Sequence, residues 1–188
     1  MVDNSEKDGH AETIMDYVLS WCLRVAASDY CKKSKPILYR YCRVMLLKLL
    51  KKEEHDNFNI EEVKVWKQWE RIDLCVEVKL KEDEDENTHV ILIENKYYTH
   101  THNTKDADGE YRNQLEVYKK VFDNYYDQKN IVKENRHYIV ITCLEKKDFE
   151  DVKKYGYELL NFYDLLDNQS NYEPTESDIF NEFWIEEW

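Results

Sequence analysis

Glycine and proline are scarce in this chain, at three and two residues. That excludes collagen-like and low-complexity architectures. No Gly-x-x-x-x-Gly-Lys or Gly-x-Gly-x-x-Gly run occurs, so no glycine-rich loop is on offer to cradle a nucleotide phosphate. Long apolar runs are missing too: residues 44–47 are interrupted at Lys48 and residues 90–93 at Glu94. Both fall far short of the roughly 18 residues of a membrane helix, and no membrane partner is expected. The five cysteines, at 22, 31, 42, 75 and 143, are odd in number and form no Cys-x-x-Cys pair. Reduced thiols and a cytoplasmic location are the expectation. Asp3, Glu6, Asp8 and Glu12 near the start do not suit a secretory or transit leader.

What is present is core material. Hydrophobic residues make up 42% and aromatics 14% of 188 residues, too much for a disordered acidic protein and a suitable length for a single domain, 1–188. The net charge of −13 argues against indiscriminate nucleic-acid binding. Charge is unevenly spread. Residues 32–52 hold Lys32, Lys33, Lys35, Arg40, Arg43, Lys48, Lys51 and Lys52 and no acid, whereas residues 167–188 hold seven acids and no base. The basic stretch suits either phosphate contacts or a helix with a solvated face. The acidic tail also carries Phe180, Phe183, Trp184, Ile185 and Trp188. It is expected to dock by its aromatic side, covering the basic region or binding a protein partner.

Periodicity organises the chain. Met15, Val18, Leu19, Cys22, Leu23 and Ala26 follow helical spacing over 11–27. Pro36 suits the first turn of a second helix reaching about Lys52, with Leu38, Tyr41, Cys42, Met45 and Leu49 on its apolar face. The period then falls to two. Val63, Val65 and Trp66 open a strand-like stretch, and residues 71–79 alternate with Ile72, Leu74, Val76 and Val78 on one side, which predicts a half-buried strand. After an acidic turn at 81–86, residues 90–93 are apolar on both sides and predict a central strand. Residues 97–109 read as a loop and 110–126 as a helix with Leu115, Tyr118, Phe122 and Tyr125 on one face. Residues 138–144 give another central strand, 157–162 a last one, and 163–166 a short helix. The class is α/β or α+β, with helices flanking a mixed sheet.

The residues that suggest chemistry are Asp73 and the Glu94-Asn95-Lys96 run. Asp73 lies on the polar side of its strand, and Glu94 and Lys96, two apart, share a face of the next. A hairpin between these strands brings two carboxylates and an ammonium together at the end of a central strand. Paired carboxylates suit a hard divalent cation, which polarises a phosphodiester and acidifies bound water. An ammonium beside them orients that water and offsets charge on phosphorus. The same spacing also fits charged strand ends in solvent. Gln114 and Tyr118, one turn apart, share a helix face.

Together these segments, Arg71-Ile72-Asp73-Leu74, Ile93-Glu94-Asn95-Lys96 and Gln114-Leu115-Glu116-Val117-Tyr118, resemble the PD-(D/E)XK nuclease superfamily, in particular members with a RecB-like Gln-x-x-x-Tyr helix. The resemblance covers about residues 72–144. It implies an α/β, restriction-endonuclease-like fold with an αβββαβ core, and a hydrolase that cuts phosphodiester bonds of DNA with Mg²⁺ or Mn²⁺. It further implies that Asp73 and Glu94 ligate the metal, that the Asn95 carbonyl completes its sphere, and that Lys96 positions the water. Gln114 and Tyr118 would contact or orient the substrate backbone. Two departures stand out. Ile72 replaces the superfamily's proline, and an acid from the first helix is not assigned: Glu12 is favoured by its spacing to Met15 and Leu19, with Asp16 next. A solvated acid near a helix N-terminus is the competing reading.

Other candidates carry less. His100 and His102 sit in an irregular loop, and Cys75 has no His partner placed by spacing. Two alternatives to a free-standing nuclease remain. One is a non-catalytic interaction module on the same fold, regulated or partnered through the acidic tail; the other is a nuclease subunit whose target is chosen by a partner.

Overall fold

The structure, a computed structural model, describes residues 5–53, 58–82, 84–96, 101, 103–144, 146–166 and 172–186. Helix α1 (Ser5–Val25) buries Met15, Leu19, Cys22 and Leu23 of the face its spacing predicts; Val18 is half-buried, and Ala26, just past the helix end, is buried. A one-and-a-half-turn helix α2 (Asp29–Ser34) follows, with the Ser28 hydroxyl accepting from the Cys31 amide at 3.2 Å. It buries no residue, so hydrophobic periodicity gives no sign of it. Helix α3 (Pro36–Leu50) starts on Pro36 and stops at Lys51, whose left-handed φ of 56° turns its amide back onto the Leu47 and Lys48 carbonyls.

Strands β1 (Phe58–Trp69), β2 (Ile72–Glu82) and β3 (Asp85–Lys96) form an antiparallel meander. Helix α4 (Gln114–Gln128) then crosses to β6 (Arg136–Thr142), which pairs parallel to β3, and β7 (Glu158–Asn161) pairs parallel to β6. The five-stranded sheet has the order β1-β2-β3-β6-β7, so it is mixed and flanked by helices. Among the described residues no helix is long and apolar enough to cross a membrane.

Each sheet face has its own core. Leu74, Val76, Val78, Leu80, Ile91 and Ile93 pack with α1 and α3. Cys75, Val90 and Leu92 pack with Leu115, Phe122 and Tyr126 of α4 and with Phe149 and Val152. Strand β2 keeps the expected half-buried alternation, with Glu77, Lys79 and Lys81 on its more open face; at Cys75 that face is covered by α4, which buries the residue to 1% exposure. Arg136 ties α4 to β6, bonding Asp123, Asp127 and the Ile131 carbonyl.

Several expected boundaries shift. Strand β1 spans Phe58–Trp69, starting five residues before Val63, where the strand-like stretch was expected to open; as an edge strand it buries only Ile60. Part of the expected 97–109 loop forms a small hairpin, β4 (Asn103–Lys105) with β5 (Tyr111–Asn113). Helix α4 consequently begins at Gln114 rather than 110. Its core aromatic is Tyr126, at 1% exposure, rather than Tyr125, at 38%.

The aromatic side of the tail docks on α3. Phe180 stacks on Tyr41, Trp184 stacks on Phe162 at 4.2 Å, and the Glu176 carboxylate accepts the Ile37 and Leu38 amides at the start of α3. The short α5 (Asp178–Phe180) lies within this segment.

Candidate active site

Register brings the expected residues together. Strands β2 and β3 pair Leu74 with Ile93, so the next step sets Asp73 opposite Glu94. Leu92 packs on the α4 side of the sheet and Ile93 on the other. Glu94 and Lys96 therefore point toward α4, with exposures of 2% and 5%, and Asp73 shares that side with Cys75. Lys96 Nζ lies 2.8 Å from Glu94 Oε1. Gln114, the first residue of α4, donates its Nε2 to the same oxygen. Its place is fixed by the Asn113 side chain, which accepts the Leu115 amide at 3.0 Å and starts the helix. Tyr118 lies one turn on, 7% exposed. Burial raises its pKa, as do the nearby Glu94 and Asp73 charges.

A polar net links Asp73 to α1. The Asn95 amide donates to Asp73 Oδ2 at 2.8 Å, and Gln68 Nε2 donates to Asp73 Oδ1 at 3.1 Å. Gln68 also reaches Asp16 Oδ2 at 3.4 Å, and Asn95 Nδ2 donates to Asp16 Oδ1. The helix acid is thus part of the cluster, and Asp16, 5% exposed, is its bonded member. Glu12, which the spacing favoured, contributes through its charge, which acts on Asp16, Asp73, Glu94 and Lys96. Gln68 carries no sequence signal. It sits at the β1–β2 turn with a φ of 53°, next to Glu70 and Arg71 at 51° and 72°. Left-handed backbone at three non-glycine residues is costly and persists where the surroundings hold it.

Electrostatics sets the character of this pocket. Burial, and then the Asp73 charge, push Asp16 up to about 7. Burial and the same Asp73 charge push Glu94 up to about 8. Asp73 is raised by burial, against the pull of Lys96. Burial works against the Lys96 ammonium, but Glu94 beside it more than offsets this and its pKa rises. Four carboxylates thus face one ammonium in a largely desolvated space, and protons or a cation must neutralise the excess.

The donor set fits a hard divalent cation in two respects. Glu94 Oε2 is buried and accepts no hydrogen bond from the described residues, which leaves an oxygen to a ligand. The N–H and C=O of one strand residue leave the same strand edge, so the Asn95 carbonyl points to the side on which its amide meets Asp73. The set is lean, however: among the described residues no group of three or more His, Cys, Asp or Glu side chains converges as a ready metal cage. Asp73 and Glu94 with the Asn95 carbonyl are the oxygens that would hold the ion.

Other expected features lie elsewhere. Cys75 is buried, its thiol pushed up to about 12 by desolvation, with its Sγ 3.3 Å from Tyr126 Oη; it is packing, as its lack of a partner in sequence suggested. His100 and His102 lie outside the described residues. The basic stretch does not converge on the site. Lys52 pairs with Glu82, at the end of the sheet where β3 begins, and Lys51 pairs with Glu158 on the edge strand β7. Arg40 and Arg43 lie over the rings of Tyr41 and Phe58. Comparison of the chain with protein-family models, curated proteins and solved structures finds no match.

Proposed function

We propose that this chain is a divalent-metal-dependent nuclease of the PD-(D/E)XK type that hydrolyses phosphodiester bonds in DNA. The observation that carries the reading is the buried Glu94 Oε2, without a hydrogen-bond partner among the described residues, beside Asp73 and Lys96. Two further facts support it. The order of helix, three antiparallel strands, helix and parallel strand is the one the αβββαβ core requires. Gln114 touches Glu94 directly, as a residue serving the site would.

In this reading Asp73 and Glu94 hold Mg²⁺ or Mn²⁺ with the Asn95 carbonyl. The bound ion supplies Lewis-acid polarisation of the phosphate and a lower pKa for water. The remaining work belongs to the chain. Lys96 spends one N–H on Glu94 and keeps two for a water or a phosphate oxygen. Gln114 fixes the rotamer of Glu94, and Gln68 and the Asn95 amide fix that of Asp73. Tyr118 lines the approach from α4.

The test is cleavage of linear, supercoiled and single-stranded DNA, and of RNA, in Mg²⁺ or Mn²⁺ by the wild type and by Asp73→Asn, Glu94→Gln and Lys96→Met made separately. Each variant is expected to lose roughly 100-fold or more of the activity. Equal cleavage by all three, or cleavage in EDTA, removes the reading. A non-catalytic interaction module on this fold is favoured by the absence of a ready three-ligand cage among the described residues. No saturable Mn²⁺ binding and no cleavage of any of the four substrates selects that second reading.

A further inference from the structure

Beside the candidate site is an aromatic-lined recess. It has a cavity volume of about 80 Å³, open to solvent, and is lined by Trp66, Trp69, Cys75, Glu77, Tyr125 and Tyr126. Trp66 is 39% and Tyr125 38% exposed, a large outlay of aromatic surface for an edge strand and a helix flank. The Tyr125 ring is held in place by its neighbours. Trp69 and Tyr125 contact each other with ring centroids 4.8 Å apart, and Tyr126 meets Tyr125 edge-on at 5.0 Å. At the recess wall Glu77 Oε1 accepts from Tyr126 Oη at 3.1 Å and pairs with Lys129 Nζ at 2.7 Å.

The chemistry narrows the occupant. An aromatic cluster with one carboxylate suits a quaternary ammonium, but here that position is filled by Lys129, whose ammonium lies 4.6 Å and 5.5 Å from the Tyr125 and Tyr126 ring centroids. What remains is exposed π-surface beside an ion pair that presents an acceptor and a donor side by side. Those features match a planar heterocycle with a polar edge. Position points the same way. Trp66 pairs with Cys75 across β1 and β2, so the two share a face, the face of Asp73. Cys75 is two residues from Asp73, which is about 7 Å along a strand. A nucleic-acid strand with one phosphate at Asp73 and Glu94 passes the recess within one or two nucleotides.

We propose that the recess between Trp66, Trp69 and Tyr125 is a stacking subsite for an unpaired base, so that the substrate is single-stranded or locally unpaired next to the cut. The proposal rests on the nuclease reading for its ligand, and it specifies a binding surface that the carboxylate cluster does not include. Paired bases cannot enter, because their faces are already stacked in the duplex. Stacking on aromatic side chains tolerates any base, so no sequence preference follows from this recess.

The experiment uses the full chain in EDTA. Affinities for a labelled twelve-residue oligo-dT and for a twelve-base-pair duplex are measured for the wild type, Trp66→Ala, Tyr125→Ala and Trp66→Phe, with tryptophan fluorescence followed in parallel. The single strand is expected to bind more tightly and to quench fluorescence. The two alanine variants should bind it about 5- to 100-fold more weakly with duplex affinity unchanged, and Trp66→Phe, which keeps a ring face, should retain most of the affinity. Unaltered melting temperatures separate this from misfolding. Oligo-dT binding that is absent, or equal in all four proteins, overturns the subsite, as does quenching by choline in place of oligo-dT. Cleavage in Mg²⁺ keeps the two readings apart: cutting that ignores Trp66 and Tyr125 overturns the subsite alone, whereas ring-dependent binding without any cutting overturns the nuclease and leaves the subsite standing.

Discussion

The backbone amide of Asn95 donates to Asp73 Oδ2 at 2.8 Å. A main-chain group of one strand thereby fixes the side chain of its neighbour just beyond the last β2–β3 pair, Leu74 with Ile93. The bond orients Asp73 across the end of β3, toward Glu94 and Lys96. It needs no extra side chain, and any change in the β2–β3 register breaks it, because a one-residue slip sends Asp73 to the opposite face.

Gln68 is expected to behave as a positioning residue. It is the side chain that bridges Asp16 and Asp73. Gln68→Ala should weaken Mn²⁺ binding, followed by calorimetry, about 10- to 100-fold. Gln68→Glu should be worse, because it places another carboxylate against two that are already crowded. Unchanged affinity in both variants removes the bridge from the account.

Stability should fall with pH in the absence of metal. The folded-state pKa values of Glu94 and Asp16 lie near 8 and 7, above the ordinary carboxylate range. Between that range and about pH 8 the folded chain holds more protons than the unfolded one, and stability declines as pH rises. His137 works in the opposite direction: burial pushes it down to about 4, so its contribution grows with pH and is complete above the ordinary histidine range. Between about pH 7 and 8.5 the carboxylate effect is joined by buried thiols such as Cys75, which act in the same direction and are unchanged in Glu94→Gln. One proton over that interval is worth about 2 kcal/mol, or about 4–8 °C in melting temperature. Glu94→Gln should flatten the slope in EDTA, and Mg²⁺ should flatten it in the wild type. A melting temperature that rises with pH in EDTA contradicts the assignment.

Arg136 should carry much of the α4–β6 attachment. Its guanidinium side chain is 2% exposed and divided between Asp123 and Asp127. Arg136→Met leaves the Ile131 carbonyl and Asp127 without the Arg136 donor, and leaves Asp123 with the Tyr138 hydroxyl. The cost, by urea unfolding, is expected near 3 kcal/mol, at the low end for a buried pair because Asp127 is itself 57% exposed. Arg136→Lys should recover less than half of that, since an ammonium does not span both acids.

Legibility in the sequence followed the physics of each residue. Asp73, Glu94 and Lys96 were readable because strand alternation assigns faces and the apolar 90–93 run marks a central strand. Gln114 and Tyr118 were readable from helical spacing. Gln68 was not, because its role depends on a left-handed turn that no residue type at 68–71 announces. Asp16 was within reach: it stands three, four and seven residues before Leu19, Ser20 and Leu23, all buried, which is the same spacing argument that favoured Glu12. The aromatic recess escaped because Trp66 and Tyr125 look like core in a periodic pattern, and only the packing of α4 on β2 leaves their faces outside. The α2 helix and the β4–β5 hairpin bury too little to leave a periodic trace.

Asp16 offers a separation of support from charge. Its Oδ1 receives Asn95 Nδ2, a buried donor. Asp16→Ala strands that donor, and an unpaired buried polar group costs about 1–3 kcal/mol, so melting temperature and metal affinity should fall together. Asp16→Asn keeps an oxygen for Asn95 while removing a charge that Asp73 repels. Its melting temperature above pH 7 should equal or exceed that of the wild type. Its Mn²⁺ affinity should still fall about 10-fold, because the pocket has lost part of the negative potential that draws a cation. If Asp16→Asn binds Mn²⁺ as the wild type does, the helix acid is a strut for Asn95 and contributes nothing to the ion; if it binds less while melting higher, the carboxylate is there for its charge.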